Sequence, residues 1–211
     1  MGLFVTFEGI EGCGKTTQIR LAADYLSRRG IKFVMTEEPG GTPMGRKIRE
    51  MLLNRSDFSI SRESELLLFL AARAQHVNDV ILPALKNDCL VLCDRYADAT
   101  IAYQGFGRGI DRGFLEKSNL FASAGCRPDT TILFDLPVET GLGRAMQRIS
   151  GVKDSMPEDR FEHEEIEFHK RVRYGYLQLA KEEPGRFRIV DAAGDVSHIH
   201  QQVIRILTKQ D

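Results

Sequence analysis

Three short apolar runs, Leu3 to Phe7, Cys89 to Cys93 and Thr131 to Phe134, are continuous rather than alternating, the pattern of strands covered on both faces. Phe33 to Thr36 and Phe187 to Val190 repeat the signal with fewer apolar residues. Between the first two runs, Thr16 to Arg29 sets Ile19, Ala22, Ala23 and Leu26 at helical spacing, and Gly30 follows where a left-handed C-terminal cap belongs. Far along the chain, Val196, Ile199, Val203, Ile206 and Leu207 make one apolar stripe behind Asp195, which is placed to cap that helix. Strands alternating with amphipathic helices predict an α/β protein with a parallel sheet and helices on both faces.

The strands run into Glu8, Asp94, Asp135 and Asp191. Several carboxylates are therefore expected at the C-terminal edge of the sheet, where open α/β sheets bind ligands. Two segments look less like scaffold. Gly40 to Pro43 is a turn cluster, and Ser150 to Arg160, "SGVKDSMPEDR", is polar, carries Gly and Pro, and reads as a surface loop between helical patterns.

At 211 residues with 42% hydrophobic and 28% charged content, the chain is long enough for a single domain, 1–211. Lys plus Arg (29) balances Asp plus Glu (30), a net charge of -1, so no overall field favours nucleic acid or an anionic membrane. Any anion site must be local. Cys13, Cys89, Cys93 and Cys126 form no CxxC pair, and no apolar leader precedes the first strand, so free thiols in a reducing cytoplasm are expected. No apolar stretch approaches the roughly 20 residues of a membrane-spanning helix.

Gly9 to Thr16 reads GIEGCGKT, which matches G-x-x-x-x-G-K-[ST] directly after a strand and before a helix. Glycines let backbone N–H groups close around phosphate oxygens, and the helix N-terminus adds a fixed positive field. Lys15 can reach the outer phosphates and Thr16 can hold Mg²⁺ by its hydroxyl. The expected donor site comprises Gly9, Ile10, Glu11, Gly12, Cys13, Gly14, Lys15, Thr16 and Thr17, in a three-layer P-loop NTPase fold. The loop indicates a nucleoside triphosphate and nothing narrower.

Asp94, ending the second strong strand, sits where an acid supports Mg²⁺. Arg95 follows it with a planar fork suited to a second phosphate, that of an acceptor; the plainer alternative is a surface pair between the two. Thr100, Tyr103 and Gln104 offer hydroxyl and amide groups to a base or sugar, on a glycine-rich segment expected to lie outside the core. Phe69 and Arg73, four residues apart on a helical pattern, share a face and could hold a flat base, although Phe69 also fits simple packing with Leu66, Leu70 and Ala74.

The variable positions of the phosphate loop hold no arginine, so catalytic positive charge beyond Lys15 must come from elsewhere. Arg144, Arg148, Lys153 and Arg160 flank or lie in the 150–160 loop and can serve there, Arg148 and Arg160 above the others. "EHEEIEFHKRVR" reads as a mostly exposed helix of alternating charge, with no metal role for its histidines.

The segments "FEGIEGCGKTTQ", "TEEPGGTPMG", "FLAARAQH", "DRYADATIAYQGFGRG" and "DLPVETGLGRAMQR" with "DRFE", in that order over nearly the whole chain, resemble the bacterial thymidylate kinases. The resemblance implies a five-stranded parallel sheet with a short lid at about 149–160 and transfer of the γ-phosphoryl of ATP to dTMP, with Mg²⁺ and a homodimer. Carried over by position, Arg95 holds the dTMP phosphate, Phe69 stacks on thymine, and Arg73, Thr100 and Gln104 read its edge. Tyr103 sits against the sugar, Glu11 orients the 3′-hydroxyl, and Arg49 matches an arginine frequent in the family. With Arg144, Arg148 and Arg160 as candidates, the chain looks like the members whose catalytic arginine lies in the lid. Arg46 departs from the family pattern, which often has glutamate there, and Cys13 stands where alanine is common.

From the residues alone two rivals stay open. One is a kinase for another nucleotide or nucleoside, against which Arg95 and "AYQG" argue. The other is a nucleotide-dependent switch, distinguished by turnover that needs no acceptor.

Overall fold

The computed structural model describes residues 2–53, 59–150 and 160–208. β1 (Phe4–Glu8) is buried at every position, as a strand covered on both faces must be. α1 (Lys15–Arg28) follows the phosphate loop and turns Ile19, Ala22, Ala23 and Leu26 inward as their spacing predicts. Gly30, at φ 66°, ends it with its N–H on the Ser27 carbonyl. β2 (Phe33–Glu37), α2 (Pro43–Leu53) and α3 (Arg62–His76) come next. Ser61 caps α3 through its hydroxyl, which accepts from Ser64 N.

α3 continues through a π-helical turn, Val77–Ile81, into α4 (Leu82–Lys86), and β3 (Leu90–Asp94) returns to the sheet. α5 (Ala97–Thr100) leads into a second π-helical turn, Ile101–Gly107, then α6 (Arg112–Ala122), β4 (Thr130–Asp135) and α7 (Val138–Ser150). α8 (Ile166–Glu182), β5 (Phe187–Asp191) and α9 (Val196–Thr208) complete the described chain, with Asp195 accepting from His198 N as the expected cap of α9.

The sheet is fully parallel in the order β2-β3-β1-β4-β5, five strands as implied. β1 is central, so the chain turns to one side of it for β2 and β3 and to the other for β4 and β5. The loop leaving β1 therefore opens at the switch point of the sheet. All five strands end on an acid, Glu37 adding to the four expected, but they do different work. Asp94 and Glu37 reach the cleft above the sheet. Glu8 is buried beneath it, Asp135 pairs with Arg173 at 2.7 Å, and Asp191 accepts from Ala193 N to close the turn before α9.

Two expectations need correction. The glycine-rich stretch after Arg95, expected outside the core, is helical, and Ile101, Ala102, Tyr103, Gln104 and Gly107 are buried in it. Gly107 permits this, because a Cβ there would lie 2.6 Å from the Phe168 ring of α8. α8 itself is charged on one face only. Phe168, His169, Val172, Tyr176 and Leu179 form a buried stripe that the dense charge of the sequence obscures.

Candidate active site

The cleft over the C-terminal edge of the sheet has a volume of about 1370 Å³ and is lined by the phosphate loop and by the Arg95 region. At the loop, Gly12 has φ 68° and a Cβ on it would lie 2.0 Å from the Gly141 carbonyl oxygen. Only glycine lets α7 press this closely on the back of the loop. Ile10 and Cys13 point into the core, so of the predicted donor site these two can offer a ligand mainly backbone. Lys15 Nζ donates to the Gly9 and Ile10 carbonyls, each at 2.9 Å, and approaches Cys13 Sγ at 3.4 Å. Thr16 Oγ1 donates to Asp94 Oδ2 at 2.9 Å, bringing together the two residues predicted for Mg²⁺.

Arg95 stands at φ 66°, held by its own N–H to the Phe7 carbonyl at 3.0 Å. A non-glycine residue in this left-handed conformation is strained, and the turn sends its side chain back along the cleft floor. There Nη2 donates to Glu11 Oε1 at 2.9 Å and Nη1 to Tyr176 Oη at 3.3 Å, while the guanidinium lies 4.8 Å over the Tyr103 ring. The surface pair with Asp94 does not form; Glu11 is the partner. Tyr103 Oη also donates to Glu11 Oε1. Burial works against charge on Glu11, but Arg95, then His169 and Lys15, outweigh it and hold the carboxyl well below the ordinary range.

Beneath this layer, Glu8 accepts from Tyr96 N and from Tyr176 Oη, both at 2.7 Å. Burial first, then the Asp98 carboxylate, raise Glu8 from 4.5 to about 8 against the pull of Arg95 and Tyr176. Tyr176 thus links a buried carboxyl to Arg95.

Arg73 is 1% exposed yet sits on the cleft wall. It donates from Nε to Glu38 Oε2 at 2.8 Å, from Nη1 to Thr100 Oγ1 at 3.0 Å and Asn119 Oδ1 at 2.6 Å, and from Nη2 to the Tyr96 carbonyl at 3.0 Å. Those four bonds leave one of its five N–H donors for a ligand. Glu38 is shared with His76 Nδ1 at 2.9 Å, and His76 Nε2 meets Thr36 Oγ1 at 2.6 Å. Phe69 is half-buried on the same wall, 6.3 Å from the Phe161 ring. Gln104 Nε2 donates to Glu65 Oε1 at 2.8 Å, which leaves its carbonyl oxygen.

Arg49 lines the cleft and donates to the Pro39 carbonyl at 2.9 Å; Arg46 lines it too, with nothing in the structure to explain its departure from the family pattern. Arg144 donates to the Ala192 carbonyl at 3.1 Å and Arg148, 62% exposed, to Glu162 Oε1 at 3.2 Å, both on the cleft. Arg160 is not brought to the cleft wall. It donates to the Leu52 carbonyl and to Glu65 Oε2 at 2.8 Å, and its guanidinium covers the Phe161 ring. Ile149 and Ser150 end α7, and residues 151–159 of the predicted lid, Lys153 included, lie outside the described residues.

Sequence reasoning missed Glu38, Asn119, Tyr176 and His169. Only α8 carried a usable signal: His169 and Tyr176 fall on the same helical stripe as Val172, polar groups on an apolar face. Among the described residues no group of three or more His, Cys, Asp or Glu could hold a metal, and all four cysteines are free.

A phosphate-binding loop and an arginine suited to a second phosphate, sharing one cleft, define a P-loop phosphotransferase that acts on a phosphorylated acceptor. The family model described as thymidylate kinase matches residues 7–203. The thymidylate kinase of Syntrophus aciditrophicus is 56% identical over 207 residues, covering 98% of this chain and 94% of that protein. That of Geotalea daltonii is 54% identical over 196 residues, covering 93% and 92%. The crystal structure of thymidylate kinase from Ehrlichia chaffeensis superposes with a TM-score of 0.76 at 35% identity, covering 98% of both chains. The chain belongs to the thymidylate kinase family.

Proposed function

We propose that the cleft holds ATP at the phosphate loop and dTMP at the Arg95 end, for the reaction of the family: transfer of the γ-phosphoryl of ATP to dTMP, giving dTDP and ADP. The observation that carries the assignment of ends is Arg95, strained and aimed along the cleft floor opposite Lys15. Arg95 holds the acceptor phosphate, and Glu11 takes the sugar 3′-hydroxyl, beside the Tyr103 ring. Phe69 stacks on thymine, and the base edge meets the free Arg73 donor, Thr100 and Gln104. Arg49 adds charge at the acceptor end.

The acceptor phosphate is already an anion at neutral pH, since its second pKa is about 6. No strong base is therefore required, and the work is positioning and charge stabilisation. Lys15 turns from the loop carbonyls to the donor phosphates, while Arg144 and Arg148 approach from α7. Arg160 is engaged with Glu65, so among the lid arginines Arg148 is the first candidate for the migrating group. Thr16 and Asp94 offer the hard oxygen donors that suit Mg²⁺, which when bound neutralises charge on the donor phosphates.

α3 and α6 pack together and expose Leu67, Phe114, Leu120 and Phe121, which supports the homodimer that the family resemblance implies. No described helix is long and apolar enough to cross a membrane; free cysteines and a nucleotide substrate support a cytoplasmic setting. The deciding assay is ATP turnover with dTMP, dUMP, dCMP or no acceptor. Strict dependence on dTMP supports the reading, and turnover without an acceptor overturns it in favour of a switch.

A further inference from the structure

We propose that His169 is a positioning residue for the transfer, holding the Glu11 carboxylate from its buried Oε2 side in the plane in which it meets the acceptor's sugar hydroxyl. The inference rests on the reading of Glu11 given above. His169 is 0% exposed on the inward stripe of α8, and neither ring nitrogen has a hydrogen-bond partner within the described chain. Glu11 Oε2 is likewise buried and unpartnered, and His169 Nδ1 lies 3.2 Å from it. The two atoms are within ion-pair distance but not aligned as a hydrogen bond. Buried polar atoms are almost always satisfied, and leaving them otherwise is costly. Packing alone does not account for an imidazole here, because its neighbours on the stripe, Phe168 and Val172, fill their places with apolar atoms.

The two oxygens of Glu11 have different duties. Oε1 already accepts from Arg95 Nη2 and Tyr103 Oη. Oε2 is the oxygen turned to His169, away from solvent. Glu11 reaches the cleft and His169 does not, so His169 acts through Glu11. A small rotation of the imidazole aligns an Nδ1–H with Oε2 from the protein side, which fixes the plane of the carboxylate that Arg95 and Tyr103 hold at the cleft. The sugar hydroxyl then completes the set.

The test compares dTMP with its 3′-deoxy analogue in wild type, H169F, H169N and E11Q. We expect H169F to lower kcat/KM for dTMP about tenfold, the range of a hydrogen bond to a charged group, while the 3′-deoxy analogue changes by less than about twofold. H169N, whose amide N–H stands near the Nδ1 position, restores most of the loss. Equal loss on both substrates overturns the proposal, because a packing defect is blind to the hydroxyl. If E11Q leaves the preference for dTMP intact, the Glu11 reading itself falls and this inference with it. If E11Q abolishes the preference and H169F does not, only the inference falls. Should H169F fail to fold, the ¹⁵N shift of His169 Nδ1 in wild type decides: it moves with dTMP and not with the analogue, and an unmoved signal overturns the proposal.

Discussion

Arg95 Nη2 lies 2.9 Å from Glu11 Oε1, joining the residue after β3 to one in the loop after β1 across 84 positions of sequence. The pair ties the Arg95 turn to the phosphate loop. A carboxylate there keeps the arginine extended along the floor, and the arginine keeps the carboxylate ionised despite its burial.

Replacing Arg95 by alanine is expected to lower kcat/KM for dTMP by at least about tenfold, or roughly 1.4 kcal/mol, with the fold retained. Steady-state kinetics with circular dichroism as the fold control measures it. Unchanged kinetics would remove Arg95 from the acceptor site.

Glu38 is expected to matter for stability more than its sequence context indicates. E38A leaves the Arg73 guanidinium buried with its charge uncompensated, at a cost of about 3–5 kcal/mol. Urea denaturation reads this directly. A loss under about 1 kcal/mol would mean that Arg73 escapes to water.

Glu8 sets a pH dependence of stability. Its folded pKa, about 8, lies above the ordinary 4.5, so between those values the folded chain holds a proton that the unfolded chain has lost. The contribution is full below pH 4.5 and is lost as pH rises through about 8. E8Q, which keeps a neutral group there, is expected to flatten that decline in denaturation curves between pH 5 and pH 8. Glu11 acts with the opposite sign: its stabilisation is present above the ordinary carboxylate range and fades as pH falls below it, so the two effects separate on the pH axis. A decline equally steep in E8Q would assign the slope to another group.

Arg148 and Arg160 are expected to part company. R148A lowers kcat about tenfold with little change in dTMP affinity, as loss of a cation near the migrating group requires. R160A affects kcat less and lowers thermal stability, because it removes one of the two arginines paired with the buried Glu65 carboxylate. Equal losses of kcat in the two variants would mean that Arg160 also reaches the transferred phosphoryl.

Much of the site is legible in the sequence. The phosphate loop is a local device whose glycines, lysine and threonine must be contiguous, so a linear motif records it completely. Asp94 and Arg95 are legible because a strand end has a known place in this architecture. Phe69, Arg73, Thr100, Tyr103 and Gln104 are marked by their side-chain chemistry and by the resemblance, and all five line the cleft. The stretch after Arg95 reads as lying outside the core and folds as buried helix, because glycines that permit close packing on α8 look the same in sequence as glycines that loosen a chain.

The sequence by itself determined the strand and helix pattern, the donor loop and the anchoring charges, because periodicity and contiguous motifs are written in neighbouring residues. Only the tertiary structure decided which charges meet: that Glu11 answers Arg95, that Glu38, Thr100, Asn119 and Tyr96 use up most of Arg73, that Arg160 turns to Glu65, and that His169 lies behind Glu11. These pairings join residues far apart along the chain, and burial gives them their strength. Neither distance in space nor the local dielectric is encoded at any single position.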